Sequence, residues 1–186
     1  MKIAILAWGS LVWEIRSLKL ASEWTPNGPI LPIEFSRISD NGRLTLVIDE
    51  AHGVPVQTWF AQSAISLLPS AIKNLMEREG IENVDRVGSY ECSGGKCSPR
   101  AVRQHPASCS AIGTWAKSQL LDAVLWTALT PRFQEKYDEA FSPEAAIRYL
   151  ETLKGTARED ALRYIREAPK QVQTPVRALV QSRFFS

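Results

Sequence analysis

The sequence of 186 residues contains only three cysteines and two histidines. An odd number of cysteines, with no recognisable signal peptide, argues against a secreted domain held together by disulfides. The 22 Lys and Arg residues nearly balance the 20 Asp and Glu residues, so the net charge is only +2. This small charge, without any basic run, predicts that neither nucleic acid nor a membrane is a partner.

Long apolar stretches are also lacking. The apolar segment at the start, Ile3 to Trp8, is far shorter than the roughly 20 residues that span a bilayer. Gly9-Ser10 and Glu14 interrupt it, and no small-residue cleavage site follows. We therefore expect a cytoplasmic protein, and the length of the chain predicts one domain with its own core.

The first third of the chain has the pattern of β-structure. Lys2 to Trp8 is typical of a strand that is buried on both faces, followed by a turn at Gly9-Ser10. Asp40-Asn41-Gly42 has the chemistry of a hairpin turn, and the strand after it alternates apolar and polar residues through Ile48. With Val54 to Ala61 as a further strand, the first 61 residues predict a β-meander built around the first strand.

Helical spacing begins after this block. Ser66 to Arg78 carries apolar residues at helical intervals, Pro69 fits the first turn, and Gly80 fits the C-cap. The sequence places Glu79 at the end of this helix. Arg86 to Glu91 predicts a short strand.

The second half is predicted to be mostly helical. Cys92 to Ser110 is rich in Gly, Ser and Pro and predicts a loop, while Leu120 to Ala128 fits either a strand or a helix. Helices are expected over 143–153, after Ser142 as N-cap, and over 156–168, where Thr156 and Glu159 form a capping box. Residues 134–186 would form a helical extension of the single domain, 1–186.

Three motifs stand in a particular order along the chain. A Trp8-Gly9-Ser10-Leu11 turn follows a buried strand. A strand-rich block comes next, which contains Leu44-Thr45-Leu46-Val47 and ends in Val56-Gln57-Thr58-Trp59-Phe60, and Glu77-Arg78-Glu79-Gly80-Ile81 then precedes Gly88-Ser89-Tyr90. This order resembles the γ-glutamyl cyclotransferase-like family over roughly residues 1 to 91. The resemblance implies an α+β fold, with a small mixed or antiparallel β-barrel-like sheet and packed helices.

The resemblance also implies a function for these residues. Glu79 would be the catalytic acid–base, the turn at Trp8, Gly9, Ser10 and Leu11 would hold the γ-glutamyl part of the substrate, and Tyr90 would line the same pocket. The implied reaction releases 5-oxoproline from a γ-glutamyl amine, amide or peptide. Because the α-amine of the substrate attacks its own γ-carbonyl, no metal or cofactor is required.

The departures from the family pattern keep a second function open. Trp8 stands where the family has tyrosine, and Leu11 follows Ser10 directly where the family has asparagine. The alternative is a non-catalytic module that binds a small molecule on the same fold.

Two further segments allow more than one interpretation. Cys92, Cys97, His105 and Cys109 have a spacing that could hold a structural zinc ion, although three unconnected thiols in a loop are the simpler interpretation. The aromatic run from Trp126 to Phe133 contains Arg132, which could line a pocket and pair with a carboxylate. The simpler interpretation of that run is a buried segment followed by a proline turn.

Overall fold

The structure is a computed structural model that describes residues 1–185. In these residues the backbone forms eight strands: β1 (Ile3–Ala7), β2 (Ile30–Ile38), β3 (Leu44–Ile48), β4 (Val54–Gln57), β5 (Trp59–Gln62), β6 (Val87–Glu91), β7 (Lys96–Cys97) and β8 (Ala123–Thr127). The same residues form seven α-helices: α1 (Leu68–Glu79), α2 (Pro99–Gln104), α3 (Pro106–Ser118), α4 (Phe133–Tyr137), α5 (Pro143–Thr152), α6 (Gly155–Glu167) and α7 (Pro175–Phe184).

The expected α+β class is confirmed, and the strands lie in two separate sheets that do not close into a barrel. The contacts divide the described residues into two units. The first consists of residues 1–31 and 57–129, and the second of residues 32–56 and 130–185. The segment predicted to be a helical extension thus shares a unit with strand residues 32–56. No helix in residues 1–185 is both long enough and apolar enough to cross a membrane.

The five-stranded sheet of the first unit has the order β5-β1-β8-β6-β7. Strand β1 lies between β5, with which it pairs antiparallel, and β8, with which it pairs parallel. All five residues of β1 are buried, as the continuous apolar pattern predicted. The predicted meander around β1 is wrong, because β2, β3 and β4 form a different sheet.

Helix α1 covers one face of this sheet. Ala71 and Leu75 of the helix belong to the same buried cluster as Ile3, Ile5 and Leu125 from the strands. The helix ends as predicted at Gly80, whose φ of 63° lies in the left-handed region that glycine adopts without a steric penalty.

The loop predicted between Cys92 and Ser110 is wrong. This segment contains β7, all of α2 and the start of α3. Pro99 and Pro106 each lie in the first turn of a helix, where proline has no hydrogen bond to lose. The prolines that suggested a loop therefore mark two helix starts. The ambiguous segment after Leu120 contains the central strand β8.

The three-stranded sheet belongs mostly to the second unit and has the order β3-β2-β4. The predicted hairpin joins β2 and β3, and Gly42 in its turn has a φ of 78°. The ring of Tyr164 in α6 packs edge-on against Phe35 of β2. Helices α5, α6 and α7 contact one another in the same unit.

The two predicted helix starts in this unit have different outcomes. Ser142 caps α5 by accepting a hydrogen bond from the Ala145 backbone N–H at 3.0 Å, as predicted. The capping box at Thr156 is wrong, because α6 begins one residue earlier and has Lys154 at its N-cap without a side-chain hydrogen bond.

Candidate functional site

The turn after β1 begins at the buried Trp8, whose exposure is 4%. The chain then reaches the surface, since Gly9 and Ser10 are partly exposed, and returns to the core at Leu11. Two backbone hydrogen bonds close this turn. The Val12 N–H donates to the Gly9 carbonyl at 3.0 Å, and the Glu14 N–H donates to the Ser10 carbonyl at 2.8 Å.

The first N–H groups of this turn are unused. In residues 1–185, no hydrogen bond to a protein acceptor has the backbone N–H of Gly9, Ser10 or Leu11 as its donor. Consecutive N–H groups at a turn can bind an anion when they face a common point. The local geometry therefore has the donors that an anion-binding turn needs.

Glu79 is the last residue of α1, and its side chain is partly buried, with 18% of its surface exposed. Its Oε1 accepts a hydrogen bond from Nη1 of Arg78 at 2.7 Å. The Arg78 side chain is only 3% exposed. The carboxylate of Glu79 is thus held by a buried guanidinium and still has access to solvent.

Arg78 also holds the turn after β1. Its Nε donates to the backbone carbonyl of Glu14 at 3.1 Å, and its Nη2 donates to the same oxygen. One guanidinium therefore connects the end of α1 with the end of the turn that begins at Gly9.

Tyr90 does not lie on the face of the sheet that α1 covers. Val87 of β6 packs in the cluster beneath α1, and side chains alternate between the two faces of a strand, so Tyr90 faces the opposite side. There its ring lies against Gly113 of α3, where an added Cβ would be 2.7 Å from the ring. Ser89, which shares the face of Val87, is the residue of this motif that lies on the α1 side.

The cysteines do not assemble a metal site. No group of three or more Cys, His, Asp or Glu side chains in residues 1–185 is placed to hold a metal ion. Cys97 and Cys109 are hydrogen-bonded to each other, and this bond together with burial raises the pKa of the Cys97 thiol. Cys92 has a separate environment, in which burial and Asp122 raise the pKa of its thiol.

The importance of Arg78 was missed in the sequence, although the pattern contains a signal. Ala71, Leu75 and Arg78 are separated by four and three residues, so they lie along one face of α1. Ala71 and Leu75 are core residues. A charged residue in line with core residues must be paired inside the protein, because burying an unpaired charge is very unfavourable.

We expect Arg78→Leu to lower the free energy of unfolding by about 2–3 kcal/mol. The leucine suits the apolar face, but the Glu14 carbonyl loses its donors and Glu79 loses its guanidinium. Urea denaturation measures the change. The matched control is Arg163→Leu, which removes an exposed pair with Asp160 and should cost less than about 1 kcal/mol. Equal losses in the two variants would refute the structural role of Arg78.

Comparison of the chain with protein-family models, with curated proteins and with solved structures finds no match in any of the three.

Proposed function

We propose that the protein is an enzyme similar to the γ-glutamyl cyclotransferases, which releases 5-oxoproline from a γ-glutamyl amine, amide or peptide. The observation that carries the proposal is the guanidinium of Arg78, which binds both the Glu79 carboxylate and the end of the turn that starts at Gly9. The Arg78 guanidinium thereby connects an acid–base group with a turn that has unused N–H donors.

In the proposed reaction the substrate attacks itself. The α-amine of the γ-glutamyl group forms a bond to its own γ-carbonyl carbon, the bond to the leaving amine breaks, and a five-membered lactam results. Because both reacting groups belong to one molecule, the protein gains rate by holding one folded conformer of the substrate. The N–H groups of Gly9, Ser10 and Leu11 would bind the substrate carboxylate.

Glu79 would carry the proton. The substrate ammonium must lose a proton before it can attack, and the leaving nitrogen must gain one as its bond breaks. A single ionised carboxylate beside both nitrogens can accept the first proton and deliver it to the second. Arg78 holds the Glu79 carboxylate in one position through its hydrogen bond. Tyr90 has no role in this mechanism.

The alternative is a binding module that uses the same residues without turnover. The pairing of Glu79 with a buried guanidinium favours it, since an ion pair of this kind also serves as a static support. In that case the turn after β1 would bind a carboxylate, and no covalent bond would change.

A screen of γ-glutamyl amines and γ-glutamyl dipeptides tests the proposal. Each compound is incubated with the purified protein, and 5-oxoproline and the free amine are quantified by mass spectrometry. We expect at least one compound to give the two products in equal amounts. Saturable binding of a γ-glutamyl compound without either product would favour the binding module, and the absence of both binding and turnover would reject the site.

A further inference from the structure

A cavity lies in the second unit, apart from the residues discussed above. Its volume is about 410 Å³. Ser36 of β2, Asp49 and His52 after β3, and Arg132, Phe133 and Phe141 contribute to its lining.

Ser36 lines this cavity and has an unused hydroxyl. The residue is completely buried, and its Oγ has no hydrogen-bond partner among residues 1–185. A buried hydroxyl without a partner destabilises a protein by about 1–3 kcal/mol, and the large majority of buried polar atoms in native proteins are paired. Because Ser36 is one of the residues that line the cavity, a bound molecule can supply the missing partner.

Arg132 adds a second donor. Its backbone N–H donates to the Ser36 carbonyl at 3.1 Å, which fixes the two residues beside each other. Its Nη2 donates to the Asp40 carboxylate and to the Ile38 carbonyl. Its Nε is buried and has no partner within the described part of the chain. One N–H of the guanidinium therefore has no protein acceptor, in a residue whose backbone is hydrogen-bonded to Ser36.

Two acidic residues line the cavity: Glu135 is exposed, and the hydrogen bonds of Asp49 are already satisfied. The buried Asp49 accepts backbone N–H groups from Ala51 and His52 at 3.0 Å each, and its Oδ2 lies 3.3 Å from Nδ1 of His52. The imidazole is further held edge-on against Phe141 at 5.2 Å between ring centres. What the lining residues still lack is therefore a hydrogen-bond acceptor, and a ligand that supplied one would lie beside aromatic side chains.

We propose that this cavity binds a small organic molecule or ion through an oxyanion, either a carboxylate or a phosphate. The Ser36 hydroxyl and Arg132 Nε–H donate to the oxyanion, and Phe133 and Phe141 contact the rest of the ligand. An oxyanion fits because two donors of the lining residues are unused, whereas the buried carboxylate of Asp49 already has three hydrogen bonds.

The test is calorimetric titration of the full chain with benzoate and with inorganic phosphate, and with tetramethylammonium as a cationic control. We expect saturable binding of at least one anion and none of the cation, and the tighter anion identifies the class. Ser36→Ala should weaken that binding by about tenfold, as expected for one hydrogen bond to a charged group. The same variant should not lower the melting temperature, because its hydroxyl has no protein partner to lose.

A matched pair of arginine variants separates the site from general charge. Arg132→Gln removes the Nε donor, whereas Arg148→Gln removes a guanidinium that pairs with Glu139 outside this cavity. Only Arg132→Gln should weaken anion binding. When the anion is titrated into the unmodified protein, the imidazole NMR signals of His52 should shift and those of His105 should not. The proposal is overturned if neither anion binds, or if Ser36→Ala and Arg132→Gln bind the anion as the unmodified protein does.

Discussion

Replacing Glu79 by glutamine should reduce 5-oxoproline release by about 10²- to 10⁴-fold, the usual contribution of a positioned acid–base group. Glutamine keeps the shape of the side chain and an oxygen that can accept the hydrogen bond from Arg78. It cannot take a proton from the substrate ammonium. The measurement is the initial rate of 5-oxoproline formation with the best substrate of the γ-glutamyl screen.

Glu77→Gln is the matched control for this experiment. Glu77 is two residues away on the same helix, its side chain is 57% exposed, and its ion pair with Lys73 is long, at 4.0 Å. The variant removes the same charge from nearly the same place and should keep the full rate. Loss of activity in both variants would mean that the general charge of α1 matters, and full activity in Glu79→Gln would remove Glu79 from the mechanism.

Substrate affinity distinguishes the two proposed functions in the same variant. If Glu79 moves protons, Glu79→Gln should lower kcat far more than it changes KM, because the turn after β1 still binds the substrate carboxylate. If Glu79 only holds the substrate ammonium, the variant should bind γ-glutamyl compounds less tightly in calorimetry, with no turnover to lose.

Structural features that depend on a few neighbouring residues, such as a helix end or a hairpin turn, could be predicted from the sequence. The helix end at Gly80 follows from a glycine placed after an amphipathic run, and the hairpin at Gly42 follows from Asp40-Asn41-Gly42 between two strand patterns. In both cases the left-handed backbone conformation at glycine is a local requirement. The position of Glu79 at a helix end could be predicted for the same reason.

The pairing of the strands could not be predicted in this way. Ile3 of β1 pairs with Ala123 of β8, a partner that is 120 positions later in the chain. The alternation of apolar residues indicates that a segment is a strand and which of its faces are buried. It does not identify the strand with which the segment pairs. The meander was predicted because strands that are adjacent in sequence are often adjacent in a sheet.

The candidate site was predictable in part for the same reasons. The family resemblance predicted that Glu79 and the turn at Gly9 share one site, but it did not predict that Arg78 connects them, since its contact with the Glu14 carbonyl spans 64 positions. Tyr90 was expected on the same side as Glu79. The strand alternation that starts from the core residue Val87 places it on the α3 face instead.

Arg177 holds the segment between α6 and α7. Arg177, in the first turn of α7, is buried, and its guanidinium donates to four backbone carbonyls: those of Arg166, Ala168, Pro169 and Val172. These oxygens lie at the end of α6 and just after it, where helix carbonyls have no partner of their own. A cation near a helix N-terminus is unfavourable for that helix. The role of Arg177 is therefore to hold the segment that connects α6 with α7.

We expect Arg177→Met to lower the free energy of unfolding by about 3–4 kcal/mol, because four carbonyls lose their donor and each hydrogen bond contributes about 1 kcal/mol. For a chain of this size the melting temperature should fall by about 10 °C. Methionine keeps the length and apolar contacts of the side chain, so the loss reports the hydrogen bonds.

The control on the same helix is Arg183→Met, which removes an exposed pair with Glu151 and should cost less than about 1 kcal/mol. Burial removes water from the charged Arg177 guanidinium and thereby lowers its pKa. The four carbonyls therefore have to offset the cost of burying that charge. If Arg177→Met were as stable as Arg183→Met in urea denaturation, the carbonyl contacts would contribute nothing net, and the connection after α6 would be held by apolar packing alone.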